Sequence, residues 1–257
     1  MTDRPRPAPE PALPPTAQPP RGKHTDAATG RASSGSQMHL QVWVNRRRDA
    51  LARALLLALP ISDPAAEVEW VSPLESEKFG EYKDAAFLTA LGLGAHAEAL
   101  HAFWPRGGPV WDGLARVKRA GIEQDAVVLV EAKSYPTEIV GKGCQAGPES
   151  RPTIEAALDE TARWLGVTRP DSWTGGLYQS AIRIAHVYFL RERLGVEAYL
   201  VNLCFAGDPR KPTSLGEWDK AKAVFRRQLG LDGVSTPWLV DVTLQAARRE
   251  ELLETSG

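Results

Sequence analysis

An unbroken apolar run at residues 126–130, Ala-Val-Val-Leu-Val, stands out in the hydrophobic pattern of the chain. It leaves no alternate position polar, which is typical of a strand buried on both faces. Glu131 and Lys133 follow directly, and the alternation of side chains along a strand puts both on one face and Ala132 on the other. Charges at the mouth of a buried strand are costly unless they are paired, hydrated or bound to a metal, so this pair requires a chemical explanation.

The rest of the pattern alternates between helical and strand periodicity, which predicts an α/β fold with a small mixed central sheet flanked by helices. Residues 110–118 and 125–133 form a hairpin, with Gly121 in the connection, where a positive φ costs glycine little. Residues 136–152 form a loop after it. The other predicted helices are 46–59, about 79–91, 95–103, 153–165, 176–194 and 214–229, and the other predicted strands are 67–71, 197–205 and 238–244.

Composition divides the chain into a tail and one domain. Residues 1–37 hold eight of the 20 prolines and only Leu13 as a large aliphatic residue, so this Pro/Ser/Gly-rich tail is expected to be disordered. Residues 38–257 are expected to form a single domain, and whether Met38 is the natural start is left open. The two cysteines, Cys144 and Cys204, are too few and too far apart for a disulfide framework.

The chain has no apolar stretch as long as a membrane span and no apolar signal-peptide core, so we expect a soluble cytoplasmic protein without a membrane partner. The formal net charge is −1, and because the tail carries five Lys/Arg against three Asp/Glu, the rest of the chain has a net charge of −3. A chain that coats duplex DNA needs many phosphate-neutralising residues, so nucleic acid would have to meet a local basic groove or arrive with a protein partner. No Walker-type or Gly-x-Ser-x-Gly motif is present, which excludes the simplest NTPase and serine-hydrolase assignments.

The hairpin brings acidic residues together. Asp112 and Glu131 are nineteen positions apart, but they lie on neighbouring strands about 4.8 Å apart. Mg²⁺ prefers oxygen ligands and keeps several waters, so two carboxylates plus a substrate phosphate are enough to hold it, with the carbonyl of Ala132 as a further ligand. Lys133 is then placed to orient a nucleophilic water or to neutralise developing charge.

Asp112, a hairpin, and Glu131-x-Lys133 at the end of an apolar strand resemble the PD-(D/E)xK nuclease superfamily, also called the restriction-endonuclease-like fold. The segments 104–112 and 130–133 are similar to an uncharacterised bacterial branch, and the likeness in element order covers about residues 79–244. The resemblance implies a nuclease core in which Asp112 and Glu131 bind Mg²⁺ or Mn²⁺ and Lys133 is the catalytic lysine.

The chain departs from the family pattern before the aspartate, where Trp111 stands in place of the proline that gives the motif its name. Members often place a further glutamate on the preceding helix. By this resemblance Glu81, on the predicted 79–91 helix, is a fourth candidate metal ligand, with Glu77 and Asp84 as rivals.

Substrate contacts are predicted on the helix after the motif. Gln179, Arg183 and His186 fall on one helical stripe, and Arg183 could grip a phosphate bidentately. Arg183 occupies the position at which the exonuclease branch of the family carries a tyrosine. The stripe is equally compatible with the exposed side of a packed helix. Trp104 and Trp111 flank the site and could stack on a base.

Two functions are compatible with these residues. The first is a Mg²⁺-dependent nuclease that hydrolyses DNA, with RNA as the second choice, through Asp112, Glu131 and Lys133. The second is a non-catalytic nucleic-acid-binding or scaffold protein that retains the fold, because a fold alone does not establish activity. The nuclease hypothesis requires the two carboxylates to converge beside Lys133.

Overall fold

The computed structural model describes residues 25–253, which form an α/β fold around a mixed five-stranded sheet. The strands of this sheet follow the order β1-β4-β5-β6-β7, and a separate two-stranded sheet pairs β2 with β3. The strands are β1 Glu67–Ser72, β2 Tyr82–Lys83, β3 Val110–Trp111, β4 Gly113–Arg119, β5 Ile122–Lys133, β6 Ala198–Ala206 and β7 Leu239–Gln245. The helices are α1 Gly35–Arg46, α2 Arg48–Ala58, α3 Asp84–Ala90, α4 Ala97–Phe103, α5 Arg151–Leu165, α6 Tyr178–Tyr188 and α7 Leu215–Gln228.

Strand β5 occupies the centre of the main sheet. It pairs antiparallel with β4, which pairs antiparallel with β1, and it pairs parallel with β6, which pairs parallel with β7. Residues 126–132 are buried, so the unbroken apolar run is the central strand that its pattern predicts. The β4–β5 turn contains Gly121 at φ +73°, as expected for the hairpin connection.

The predicted strand at 110–118 is wrong in one respect, because the chain changes sheets within it. Val110 and Trp111 pair with β2, whereas Gly113 onward pairs with β1 and β5. A Cβ atom at Gly113 would lie 3.3 Å from Ser72 O and from the Val130 side chain, so the close crossing requires glycine. Asp112 therefore lies at the break between β3 and β4.

The predicted helix at 79–91 is also wrong over its first half. Lys78, Phe79 and Asp84 have φ of 51°, 55° and 51°, left-handed values that interrupt a right-handed helix, and only Asp84–Ala90 is helical. Phe79 is buried in a turn rather than on a helical stripe. Glu81 accordingly lies in the segment that leads into β2.

The described structure reaches further toward the N-terminus than the domain boundary predicted at residue 38. Thr25 pairs with Ala32, helix α1 begins at Gly35, and the Ala32 amide donates to the side chain of Gln41 at 2.8 Å. The disorder predicted for residues 1–24 lies outside the described residues. The predicted 46–59 helix is observed as α2, preceded by α1, which packs on β5 and β6.

The C-terminal half follows its periodicity closely. Helix α6 ends in a π-type turn at Phe189–Arg193, and α7 begins with a capping box in which the Ser214 and Glu217 side chains each accept from the other's backbone N–H. Both helices pack on β6. Within residues 25–253, no helix combines the length and apolar character needed to cross a membrane.

Candidate functional site

Asp112 and Glu131 converge at the end of the β4–β5 hairpin. The register pairs Gly113 with Val130, so Asp112, just before Gly113, lies beside Glu131, just after Val130. Asp112 Oδ2 accepts a hydrogen bond from the Ala132 backbone N–H at 2.8 Å, and the Asp112 and Glu131 carboxyl groups line the same cleft. The Ala132 N–H thus fixes Asp112, and the role of the Ala132 carbonyl as a metal ligand stays a prediction.

Two cations surround Glu131. Lys133 Nζ donates to Glu131 Oε1, and the Arg183 guanidinium forms an ion pair with Oε2. Burial raises the pKa of Glu131, but Arg183 and Lys133 more than offset it, so the net pKa lies below its ordinary value. Burial lowers the pKa of Lys133, but Glu131 and Asp112 raise it by more, so the net pKa is raised and the lysine stays charged. A charged lysine can stabilise negative charge or orient water, but it cannot accept a proton.

Asp112 has the opposite electrostatic environment. Burial raises the pKa of its carboxyl well above the ordinary 3.8, and the negative charge of Glu131 raises it further, against the opposing effect of Lys133. Two carboxyl groups that cannot both ionise share one proton unless another cation enters. Of the two carboxyl groups, Asp112 is therefore the one that needs additional positive charge nearby in order to ionise.

The candidate residues line one open cleft of about 450 Å³. All six predicted site residues with functional side chains reach it, together with two polar residues that the sequence did not suggest, Ser36 and Gln37 of α1. The signal that marks this helix start is the Ser-rich run before Met38, which is typical of an N-terminus. The predicted residues in the cleft are Glu81, Asp112, Glu131, Lys133, Gln179 and Arg183.

Glu81 reaches the cleft from the segment that leads into β2, although it lies outside any helix. Its Oε1 accepts from Gln37 Nε2 at 2.7 Å, and its charge contributes to the raised pKa of Asp112. Neither rival lines the cleft: Glu77 is exposed, and Asp84 pairs with His101. No group of three or more His, Cys, Asp or Glu side chains within residues 25–253 is arranged to hold a metal ion, so the carboxylate pair stands without Glu81 as a third close ligand.

Arg183 forms polar contacts with three different segments of the protein. Its Nη1 donates to Gln179 O at 3.0 Å and its Nη2 to Val110 O at 3.2 Å, in addition to the ion pair with Glu131. With its side chain only 9% exposed, it ties α6 to β3 and β5. This arrangement makes Arg183 a residue that positions Glu131.

The helical stripe predicted on α6 divides in the structure. Gln179 is exposed and lines the cleft, whereas His186 is buried among aromatic rings and donates from Nδ1 to Ile182 O at 2.7 Å. Trp104 and Trp111 belong to the same aromatic cluster and are 3% and 0% exposed. The expectation that these two tryptophans stack on a base is therefore wrong, because neither ring is accessible.

The donor set fits a hard divalent cation. Both close ligands are carboxyl groups, no thiol or imidazole faces the cleft among the described residues, and the cleft is open enough for water and a phosphate. Mg²⁺ uses one or two carboxylates and completes its shell with waters and substrate oxygens. A cation there would also relieve the charge shortage at Asp112.

Together, the fold and the site define an α/β protein with a buried carboxylate pair and a lysine in an open cleft. Comparison of the chain with protein-family models, curated proteins and solved structures gives no match. What the cleft does must therefore be inferred from its own geometry.

Proposed function

We propose that this protein is a metal-dependent nuclease of the PD-(D/E)xK type that hydrolyses phosphodiester bonds in DNA, with RNA as the second choice. The observation that carries the proposal is the convergence of the Asp112 and Glu131 carboxyl groups beside Lys133 in one open cleft. The two carboxyl groups come from adjacent strands, as the motif requires.

The order of elements supports the same assignment. Helix α1 precedes three antiparallel strands, β1, β4 and β5, and helix α6 precedes the parallel strand β6. This order resembles the helix, three strands, helix, strand order of the restriction-endonuclease-like fold, with α2, α3, α4 and α5 as additional helices and the first strand upstream of the start predicted at residue 79.

In this mechanism Asp112 and Glu131 would hold Mg²⁺ or Mn²⁺, which when bound would supply polarisation of the phosphate and a more acidic water. Lys133, kept charged by the two acids, orients the attacking water or neutralises charge that develops on the phosphate. Arg183 holds Glu131 in place, and the Ala132 N–H holds Asp112.

One feature of the site favours the alternative, a non-catalytic nucleic-acid-binding or scaffold protein. Lys133 and Arg183 supply two positive charges, which match the two carboxyl groups of Asp112 and Glu131, so the cluster can exist without a metal. In that case the network is a buried ion cluster that fixes the end of the hairpin.

A cleavage assay separates the two functions. Purified protein is incubated with single-stranded DNA, duplex DNA and RNA, with Mg²⁺ or Mn²⁺ and with a chelator. The nuclease requires metal-dependent cleavage, and Lys133→Ala should reduce its rate by roughly 10²- to 10³-fold, the usual effect of removing one transition-state charge contact.

The matched control is Lys118→Ala. This lysine is half exposed on β4 and pairs with Glu69, away from the cleft, so its removal should leave cleavage unchanged. Cleavage that persists in chelator and in Lys133→Ala would exclude the mechanism. Absence of cleavage on all three nucleic acids would favour the scaffold.

A further inference from the structure

A second open cleft, of about 490 Å³, continues from the first. Ser36 and Gln37, in the first turn of α1, line both, so the two clefts form one groove that passes over the start of this helix. The far end of the groove is lined by Tyr135, Arg210 and Lys211. We call this far end the distal groove.

Cations outnumber anions among the accessible charges of the distal groove. Arg210 and Lys211 are exposed, whereas Asp208 is only 1% exposed and is held by His39 at 2.9 Å and by the Arg210 backbone N–H at 2.8 Å. Glu138 is half-buried, and one of its carboxylate oxygens accepts from the Ser134 backbone N–H. An anionic chain that follows the groove thus meets two cations, although the protein as a whole is close to neutral.

Tyr135 adds an aromatic surface to these cations. It follows β5, two residues after Lys133, with extended φ and ψ of −156° and 154°. Ser134 between them is fully buried, whereas Tyr135 is half-buried and lines the distal groove.

The Lys211 ammonium lies over the Tyr135 ring, 4.7 Å from its centroid, and Lys211 Nζ also donates to Thr137 Oγ1 at 3.0 Å. The cation is therefore held against one face of the ring, so a stacked base would use the other face. A nucleotide presents the complementary pair, a base with a π-face and a phosphate with negative charge.

We propose that the distal groove binds the nucleotides next to the scissile phosphate in a single-stranded nucleic acid, with one base stacked on Tyr135 and the adjoining phosphates on Arg210 and Lys211. This inference rests on the proposed nuclease function of the adjoining cleft. Stacking needs an unpaired base, because a duplex hides the faces of its bases, so the substrate is a single strand or a frayed end.

Binding is measured by fluorescence anisotropy with a labelled single-stranded DNA oligonucleotide in chelator, so that no cleavage occurs. Tyr135→Leu should weaken binding roughly tenfold, the usual effect of losing one stacked base, whereas Tyr135→Phe, which keeps the ring, should bind within about twofold of the wild type. Lys211→Gln should make the slope of log K against log salt shallower by about 0.7, the single-strand value for one phosphate contact.

The matched control is Lys220→Gln, which removes an equally exposed lysine on α7 that lines neither cleft and should leave affinity and slope unchanged. An oligonucleotide with 5-iodouracil, which photo-cross-links to nearby aromatic side chains, reports position. The cross-linked peptide should contain Tyr135.

The inference is overturned if Tyr135→Leu binds like the wild type, if a fully paired duplex binds as tightly as the single strand, if an acidic peptide of equal charge competes as well, or if no oligonucleotide binds. This inference and the nuclease assignment can fail separately. Metal-dependent cleavage, with binding unaltered in the groove variants, would reject the role of the distal groove alone. Groove-dependent binding without cleavage would reject the nuclease function alone.

Discussion

Asp112 is the residue whose chemistry conflicts most with its surroundings. It is a half-buried acid, and desolvation together with the charge of Glu131 raises the pKa of its carboxyl well above 3.8. A carboxyl group whose ionisation is disfavoured in this way reduces the free energy of unfolding at neutral pH, as is common at functional sites.

Asp112→Asn should therefore stabilise the metal-free protein. Because the folded pKa lies above the unfolded value, the stability linked to this carboxyl is fully present below about pH 4 and is lost as pH rises toward the folded pKa, at about 1.4 kcal/mol per pH unit. The amide removes that loss, so the variant should gain over the wild type as pH rises.

Urea unfolding in chelator from pH 4 to pH 8 measures this difference. Asp219→Asn, at a 75% exposed carboxylate on α7, is the control and should stay within about 0.5 kcal/mol of the wild type. An Asp112→Asn protein less stable than the wild type at every pH would show that the carboxyl is a net stabilising group.

Helix α6 contributes a second titratable group to the core. His186 lies against Trp104 and Trp111, with ring centroids 5.1 and 6.1 Å away, and burial lowers the pKa of its imidazole to about 4. The folded protein therefore holds a neutral histidine that the unfolded chain protonates below about pH 6.5.

Acid should weaken the packing of this helix. The stability linked to neutral His186 is fully present above the unfolded value of 6.5 and falls as pH drops toward 4, by up to about 3 kcal/mol. His186→Met, which cannot titrate, should show a shallower loss of unfolding free energy between pH 6.5 and pH 5, whatever its stability at pH 7. Equal slopes in the two proteins would contradict the account.

Elements with strong local periodicity were predictable from the sequence. The apolar run of β5, the Gly121 turn and helix α6 follow from neighbouring residues, and hairpin geometry alone was enough to bring Asp112 beside Glu131. The break at Asp112 and the turn that carries Glu81 were not predictable, because Gly113 crosses against Ser72 and Phe79 adopts a left-handed backbone. Those constraints arise only when distant segments meet.

At the scale of the whole molecule, the segment before Met38 forms part of the cleft. Gln37 contacts Glu81, and Arg31 pairs with Glu75, each across 44 positions of sequence. Composition could not reveal this, because small and polar residues gain their partners only from the rest of the fold. The same segment joins the candidate active site to the distal groove.

A chain that begins at Met38 should consequently be less stable than one that begins at Thr25. Loss of the contacts of residues 25–37, including the Ala32–Gln41 hydrogen bond, should cost about 2 kcal/mol and lower Tm by roughly 4–8 °C. Differential scanning calorimetry on the two truncations isolates this segment. Identical Tm values would mean that its packing contributes nothing to the fold.

The central claim is that Asp112 and Glu131 hold one divalent cation, and calorimetric titration with Mn²⁺ tests it directly. Wild-type protein should bind one Mn²⁺ per chain, and Asp112→Asn, which keeps the shape and removes the charge, should weaken that binding more than tenfold, with Asp219→Asn unchanged. Failure of the wild type to bind Mn²⁺, or equal affinity in wild type and Asp112→Asn, would contradict the metal site and the nuclease proposed from it.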